Sequence, residues 1–327
     1  MSDQRLGADV TGVELNPGRM CNNRCVFCMS GYERDEHNPW AEWGLFKDEI
    51  RAWYGKGKRA IGFLGGEPTV YPHIVESVAY AKALGYQRIA ICTNGMRLAD
   101  PAFARELVEA GATRFTVSVH SHRPEIEEAL VGVPGILEKK IQAIRNLVEL
   151  RDEGSLPDNV SLNPVFCRLN MDTFEEFLRY FQGLGVDDVR LNFIWPQARV
   201  RGDRGVVPRF AEAVPRMLAL VAANERGIGM RLSFGGIPFC ALPAFVRSRP
   251  ALVALFDEGG NDVERENAFV HGGTGQVDRF DWLETETGDF KVRPEEICSG
   301  CSLRARCQGV YASYLELYGR EELGALS

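Results

Sequence analysis

No stretch of this chain reaches the ~18–20 apolar residues that span a bilayer. The opening MSDQRLGADVTG also has no basic segment followed by an apolar one. These absences predict a cytoplasmic protein with no membrane partner. A basic surface is missing too. The formal net charge of −7 argues against a nucleic-acid partner, which requires a positive face. One basic segment stands apart, Arg199, Arg201, Arg204 and Arg209. It reads as a solvated loop with enough charge to receive an anionic group. Internal repeats and low-complexity tracts are absent. The nine cysteines are an odd number, and seven occupy metal-like positions, so no disulfide framework is expected. At 327 residues with 25% charged, the chain has the size of two domains or of one large barrel with an appendage.

The densest chemical signal is the run MCNNRCVFCM, which places Cys21, Cys25 and Cys28 at C-x3-C-x2-C spacing. Structural zinc requires four ligands in tetrahedral closure, and no fourth Cys or His lies nearby. Three thiolates holding a 4Fe–4S cluster leave one iron open, and an open iron can chelate a cofactor.

Short runs rich in Val, Ile and Phe alternate with helix-period segments, the pattern of β/α units around a parallel sheet. Strands are predicted at 13–16, 60–64, 88–92, 114–119, 160–167 and 189–195, and helices at 43–54, 73–84, 101–110, 136–153, 173–184 and 209–226. The fold class is therefore α/β, a partial (β/α)6 TIM-like barrel over residues 1–215 with a small C-terminal α+β domain over 216–327. In barrels the chemistry gathers at the C-terminal strand ends. There lie the cysteine loop, Gly65-Gly66-Glu67-Pro68, Thr93-Asn94-Gly95, and Ser118 with His120. Beyond residue 215 the sequence predicts a strand at 230–234, a polar loop over 257–275 and a hairpin around Thr287-Gly288-Asp289.

The cysteine loop, with aromatic Phe27 between its last two cysteines, resembles the cluster-binding loop of radical S-adenosylmethionine (SAM) enzymes. Gly65-Gly66-Glu67-Pro68 resembles the motif with which those enzymes hold the methionyl amine of SAM. By the same resemblance Asn94 and Ser118 contact the ribose or the methionyl carboxylate, and the backbone at Phe193 and Ile194 meets the adenine. Relatives often place an arginine for that carboxylate just before a glycine, where this chain has Val131-Gly132; Arg123 or Arg168 would replace it. The resemblance implies one-electron reduction of the cluster by a partner such as flavodoxin or ferredoxin. It further implies cleavage of SAM to a 5′-deoxyadenosyl radical and hydrogen abstraction from a substrate.

A second set, Cys298, Cys301 and Cys307, is completed to four by Cys240. Four thiolates hold either zinc or a closed 4Fe–4S cluster. The segment resembles the SPASM and twitch extensions of radical SAM enzymes, but Tyr311 stands where a full SPASM pattern has another cysteine, so one auxiliary cluster is expected. Cys92 reads as a small core residue. Cys167 would face the barrel mouth if strand alternation holds, where it would donate a hydrogen atom as cysteines do in radical epimerases. The MoaA/PqqE/SkfB-like group fits best, acting on a peptide. Only residues 1–12 precede the first strand, leaving no separate peptide-binding domain there, so epimerisation or oxidation of a carbohydrate or aminoglycoside is the second reading. A non-catalytic iron–sulfur or zinc-binding protein is the alternative from another class.

Overall fold

The computed structural model describes residues 10–28, 39–258, 264–281, 290–324 and 326. Strands β1 (Gly12–Asn16), β2 (Ala60–Phe63), β3 (Arg88–Thr93), β4 (Arg114–Val117) and β5 (Val160–Leu162) pair in parallel and in sequence order. Helices α1 (Trp43–Gly55), α2 (Ile74–Leu84), α3 (Pro101–Ala110), α4 (Pro124–Val131) and α5 (Ile136–Asp152) fill the connections. Local signals account for their ends. In α3 the Asp100 side chain caps the Ala102 N–H at 3.0 Å, Pro101 opens the first turn, and the helix stops at Gly111.

The predicted strand 160–167 is interrupted. Pro164 has no N–H to give to a ladder, so the run breaks into β5 and the two-residue β6 (Val165–Phe166). Helix α6 (Phe174–Gly183) leads to β7 (Asp188–Phe193), which pairs in parallel with both β5 and β6.

The sheet does not end with the six units. The division expected between residues 215 and 216 falls inside α7 (Phe210–Ala223), and the next strand, β8 (Arg231–Gly235), pairs in parallel with β7. On the opposite edge β9 (Glu264–Val270) pairs in parallel with β1, and β10 (Val277–Asp281) returns antiparallel to it. Part of the segment read as a polar loop is therefore strand. Ala268, Phe269 and Val270 are buried there, because a sheet edge offers pairing that an isolated run cannot reveal. The hairpin expected at 287–289 lies outside the described residues. Lys291–Val292 and Val310–Tyr311 form a separate two-stranded ladder.

Strand alternation sorts the two faces. Val13, Leu15, Ile61, Phe63, Ile89, Ile91, Phe115 and Val117 point into the helix-covered core, where all are buried. The inner face is polar. Arg114 on β4 bonds Asp188 on β7 at 2.5 Å and Ser161 on β5 at 2.9 Å. Cys92 is in register with Thr116, whose hydroxyl meets Ser161 at 3.0 Å. Cys92 thus sits on this inner face, half-buried, rather than in the apolar core expected for it.

One charged pair lies wholly inside. Lys140 on α5 and Glu127 on α4 are both 0% exposed, with Nζ 2.6 Å from Oε1. Lys140 also donates to Ser118 O at 2.6 Å, and Glu127 Oε2 accepts the His120 and Ser121 N–H groups at 2.7 Å each. Burial alone would raise the Glu127 carboxyl, but Lys140 and His120 outweigh it and hold it low. His120 is pushed down to about 4, first by burial and then by Lys140, against the opposing pull of Glu127.

Two outcomes follow from this cluster. Lys140→Met strands a buried carboxylate, so it should lower the unfolding free energy by about 3–5 kcal/mol in urea denaturation. A loss below about 1 kcal/mol would remove the pair from its structural role. The unfolded chain takes up a proton at the histidine near 6.5 while the folded chain resists until about 4. The unfolded state therefore binds more protons in that window, and stability should decline as pH falls below 6.5. His120→Gln should flatten the decline in the upper part of that window. An unchanged slope would show that His120 is not buried neutral.

Candidate functional site

The site begins where β1 and β2 end. Gly66 N donates to Gly18 O at 2.9 Å and Glu67 N to Met20 O at 2.8 Å, so the segment entering Cys21 lies directly on the end of β2. A Cβ on Gly65, whose φ is +129°, would stand 2.1 Å from Asn16 Oδ1, and one on Gly66 would stand 2.1 Å from Met20 O. Only glycine admits that approach.

Glu67 ties this junction to β3. Its Oε1 accepts from Thr69 N at 3.0 Å, Thr69 Oγ1 at 2.5 Å and Thr93 Oγ1 at 2.6 Å, and its Oε2 accepts from Asn94 N at 2.6 Å. The residue is 1% exposed, and burial raises its carboxyl despite these four donors. Both oxygens are engaged inside the protein. Pro68 opens a short turn that Glu67 caps by accepting the Thr69 N–H.

Asn94 completes the connection back to the cysteine loop. Its Nδ2 donates to Asn22 Oδ1 at 2.6 Å and reaches Cys21 Sγ at 3.8 Å, while Asn23 N approaches the same sulfur at 3.3 Å. The loop is held on its other side by Arg24 N on Val131 O and Val26 N on Leu130 O, each 2.9 Å. Phe27 sets its ring edge-on to His120 at 4.8 Å. Burial pushes the Cys21 thiol up to about 11 and the Cys25 thiol up to about 12. Loading a metal here must therefore release protons. The donor set fits an iron–sulfur cluster: three thiols on one short loop, with N–H groups aimed at a sulfur.

The remaining predicted residues divide. Ser118 lies beside this junction, half-buried, with its N–H on Thr93 O at 2.8 Å. Phe193 and Ile194 are each 1% exposed, and the Ile194 N–H is spent on Phe166 O at 3.0 Å. Arg123 pairs with Glu176 at 2.5 Å, and Arg168 grips Glu212 with two bonds of 2.7 Å. Both guanidinium groups thus face carboxylates, the Arg123 pair at the surface and Arg168 with its Nε buried and without a hydrogen-bond partner among the described residues. Cys167 is 0% exposed within the apolar core, and burial pushes its thiol up to about 11. Beyond β6 the chain turns into Cys167–Met171, with Met171 N on Cys167 O, so strand alternation does not carry Cys167 to the mouth. The basic segment clasps the C-terminal helix Ala312–Tyr318: Arg201 pairs with Glu316, Arg204 donates to Leu317 O, and Arg209 lies over Tyr318.

The second cysteine set converges. Cys240, Cys298, Cys301 and Cys307 line one surface pocket, together with Phe239, Ile297 and Leu303. Gly309 N donates to Cys307 Sγ at 3.4 Å. Among the described residues no three His, Cys, Asp or Glu side chains converge as a single-ion site.

Lys140, Glu127 and Thr69 were not identified from sequence, and Thr93 was named only as part of its strand-end motif, without a partner. Lys140 and Glu127 look like surface charges of two helices, and nothing in their spacing marks a pair. His120 had a visible signal, its place just past β4, but no partner was apparent.

The family model described as Radical SAM superfamily matches residues 15–181, just over half of the chain. A "Probable GTP 3′,8-cyclase" of Saccharolobus islandicus is 31% identical over 193 residues, 59% of this chain and 59% of the relative. Its counterpart in Sulfolobus acidocaldarius is 30% identical over 197 residues, 58% of this chain and 59% of the relative. The chain thus matches about three-fifths of the length of these curated relatives. Among solved structures, Streptococcus suis SuiB bound to S-adenosylmethionine superposes with a TM-score of 0.66 at 15% identity, covering 97% of this chain and 76% of that one. The anSMEcpe enzyme with bound AdoMet gives a TM-score of 0.54 at 15% identity over 68% and 63%. Three thiols on a loop after the first strand, laid on a glycine pair at the end of the second, are thus found in a chain that belongs to the radical SAM superfamily.

Proposed function

We propose that Cys21, Cys25 and Cys28 hold a 4Fe–4S cluster with SAM on its open iron, and that the enzyme abstracts hydrogen from a peptide substrate. The observation that carries this reading is the contact of Gly65-Gly66 with the backbone entering Cys21, which joins the two motifs into one site. When bound, cluster and SAM together supply one-electron cleavage of the sulfonium to a 5′-deoxyadenosyl radical. The protein orients and encloses. Gly65, Gly66 and Pro68 shape the cradle, and Glu67 holds Thr93 and Asn94 in place. Asn94 steadies the Cys21 loop, Phe27 closes one side, and Ser118 with the Phe193–Ile194 backbone bounds the cofactor site.

Cys240, Cys298, Cys301 and Cys307 are assigned a second, auxiliary 4Fe–4S cluster in a C-terminal unit of the twitch or SPASM kind. Four thiolates hold zinc or a closed cluster, and the cluster is favoured by the resemblance of Cys298–Cys307 to those extensions. Peptide as substrate is supported by the fold it shares with SuiB, one of whose structures is bound to the precursor peptide SuiA. The carbohydrate-epimerase reading needs a hydrogen donor at the barrel mouth, and Cys167 would have to be uncovered to serve. A one-electron donor such as flavodoxin or ferredoxin is the expected partner. The reducing cytoplasm suits nine cysteines of which none is in a disulfide. No helix among the described residues is long and apolar enough to cross a membrane.

Anaerobic reconstitution tests both clusters. The native chain should carry about eight irons, falling to about four when Cys21, Cys25 and Cys28 are all Ala. It should also form 5′-deoxyadenosine from SAM under a strong reductant. Zinc in place of the second four irons would return the C-terminal set to a structural role, and no iron in either form would end the cofactor reading. Gly66→Ala places a methyl against Met20 O and should drop iron from about eight to about four with the helical circular dichroism retained. Full loading would show that the close approach is dispensable.

A further inference from the structure

His120 is 3% exposed, yet among the described residues only one of its two ring nitrogens has a hydrogen-bond partner. Val165 N donates to Nδ1 at 3.1 Å, which places the ring proton on Nε2 in the neutral imidazole. Its backbone is equally constrained. The N–H lies on Glu127 Oε2, and Asn170 Nδ2 donates to the carbonyl at 2.8 Å. No described residue accepts a hydrogen bond from Nε2, and that atom is not among the fully enclosed unpaired ones. The ring is therefore held rigidly with one N–H unspent. It packs on Phe27, between Cys25 and Cys28, two residues past Ser118.

The same corner lacks the expected cation. At Val131-Gly132, where an arginine was expected from resemblance, the Val131 carbonyl is bonded to Arg24 N. A Cβ on Gly132 would already be 3.0 Å from Arg24 O. Arg123 and Arg168 are committed to Glu176 and Glu212, and Lys140 is enclosed on Glu127. Each of these three cations already faces a carboxylate, whereas among the described residues no acceptor meets the Nε2–H of His120, on the same strand end as Ser118.

We propose that His120 is a SAM-binding residue, donating a hydrogen bond from Nε2 to the methionyl carboxylate. The assignment rests on the cofactor reading above. It gives the carboxylate a neutral donor, since burial keeps the imidazole uncharged at neutral pH.

The test is equilibrium binding to the cluster-loaded protein, with SAM and with decarboxylated SAM as probes, and iron content measured for each variant. His120→Asn keeps an acceptor near Nδ1 for Val165 N but removes the Nε2 donor, whereas His120→Gln keeps a donor near Nε2. His120→Asn should weaken SAM roughly tenfold to a hundredfold and leave decarboxylated SAM within about twofold. His120→Gln should recover much of the loss, with iron unchanged in both. Equal losses for the two probes, or SAM affinity within about twofold in His120→Asn, would overturn the assignment alone. A wild-type chain that loads iron yet binds neither probe would overturn the cofactor reading and this assignment with it.

Discussion

The site depends on two backbones lying in contact. The segment 18–20 rests on Gly65 and Gly66 so closely that no side chain fits between them, and two backbone hydrogen bonds just past the strand ends hold it there. Cys21 follows at once, so its position is set by backbone geometry rather than by the packing of a flexible loop. Glu67 extends the same constraint sideways. A carboxylate withdrawn from water needs its acceptor sites filled, and the donors that fill them, Thr69, Thr93 and Asn94, thereby join the ends of β2 and β3. Asn94 in turn reaches back to Asn22 and Cys21, closing a ring of contacts around the cysteine loop.

A second polar cluster braces the loop from the other side. Lys140 and Glu127 neutralise each other where no water enters, and the leftover bonding capacity of the pair goes to Ser118 O and to the His120 and Ser121 N–H groups. The end of β4 is thus fixed by charges from two helices. Helix α4 then presents its last carbonyls to Arg24 and Val26, so the cysteine loop is bonded both to the sheet and to this helix. Rigidity on both sides suits a site that must orient a reactive cofactor and limit side reactions.

Much of this was readable from the chain. Glycines and prolines punctuate the elements, and β-branched runs alternate with helical ones. Five of the six predicted strands and all six predicted helices lie within a few residues of where they were expected. Legibility ended where partners are distant in sequence. Strand 264–270 depends on β1, some 250 residues earlier, for its pairing. The arginines of 201–209 are spent on a helix beyond residue 310, which turned a candidate anion site into a clasp. Alternation failed at Cys167 because Pro164 broke the strand whose period was being extrapolated.

By itself the sequence determined the chemistry on offer: three thiols without a fourth, a glycine pair before a carboxylate, a second thiol set, and their placement at successive strand ends. Spacing and residue type are local properties, and local properties survive without a fold. The tertiary structure decided which groups are free to act. It engaged Glu67 inside the protein, paired Arg123 and Arg168 with carboxylates, enclosed Cys167, turned Cys92 toward the inner wall, and left His120 Nε2 with no acceptor among the described residues. Burial and pairing depend on what the chain brings together from far apart, and a hydrogen-bonding group already satisfied by a distant neighbour reads in the sequence just like one that waits for a ligand.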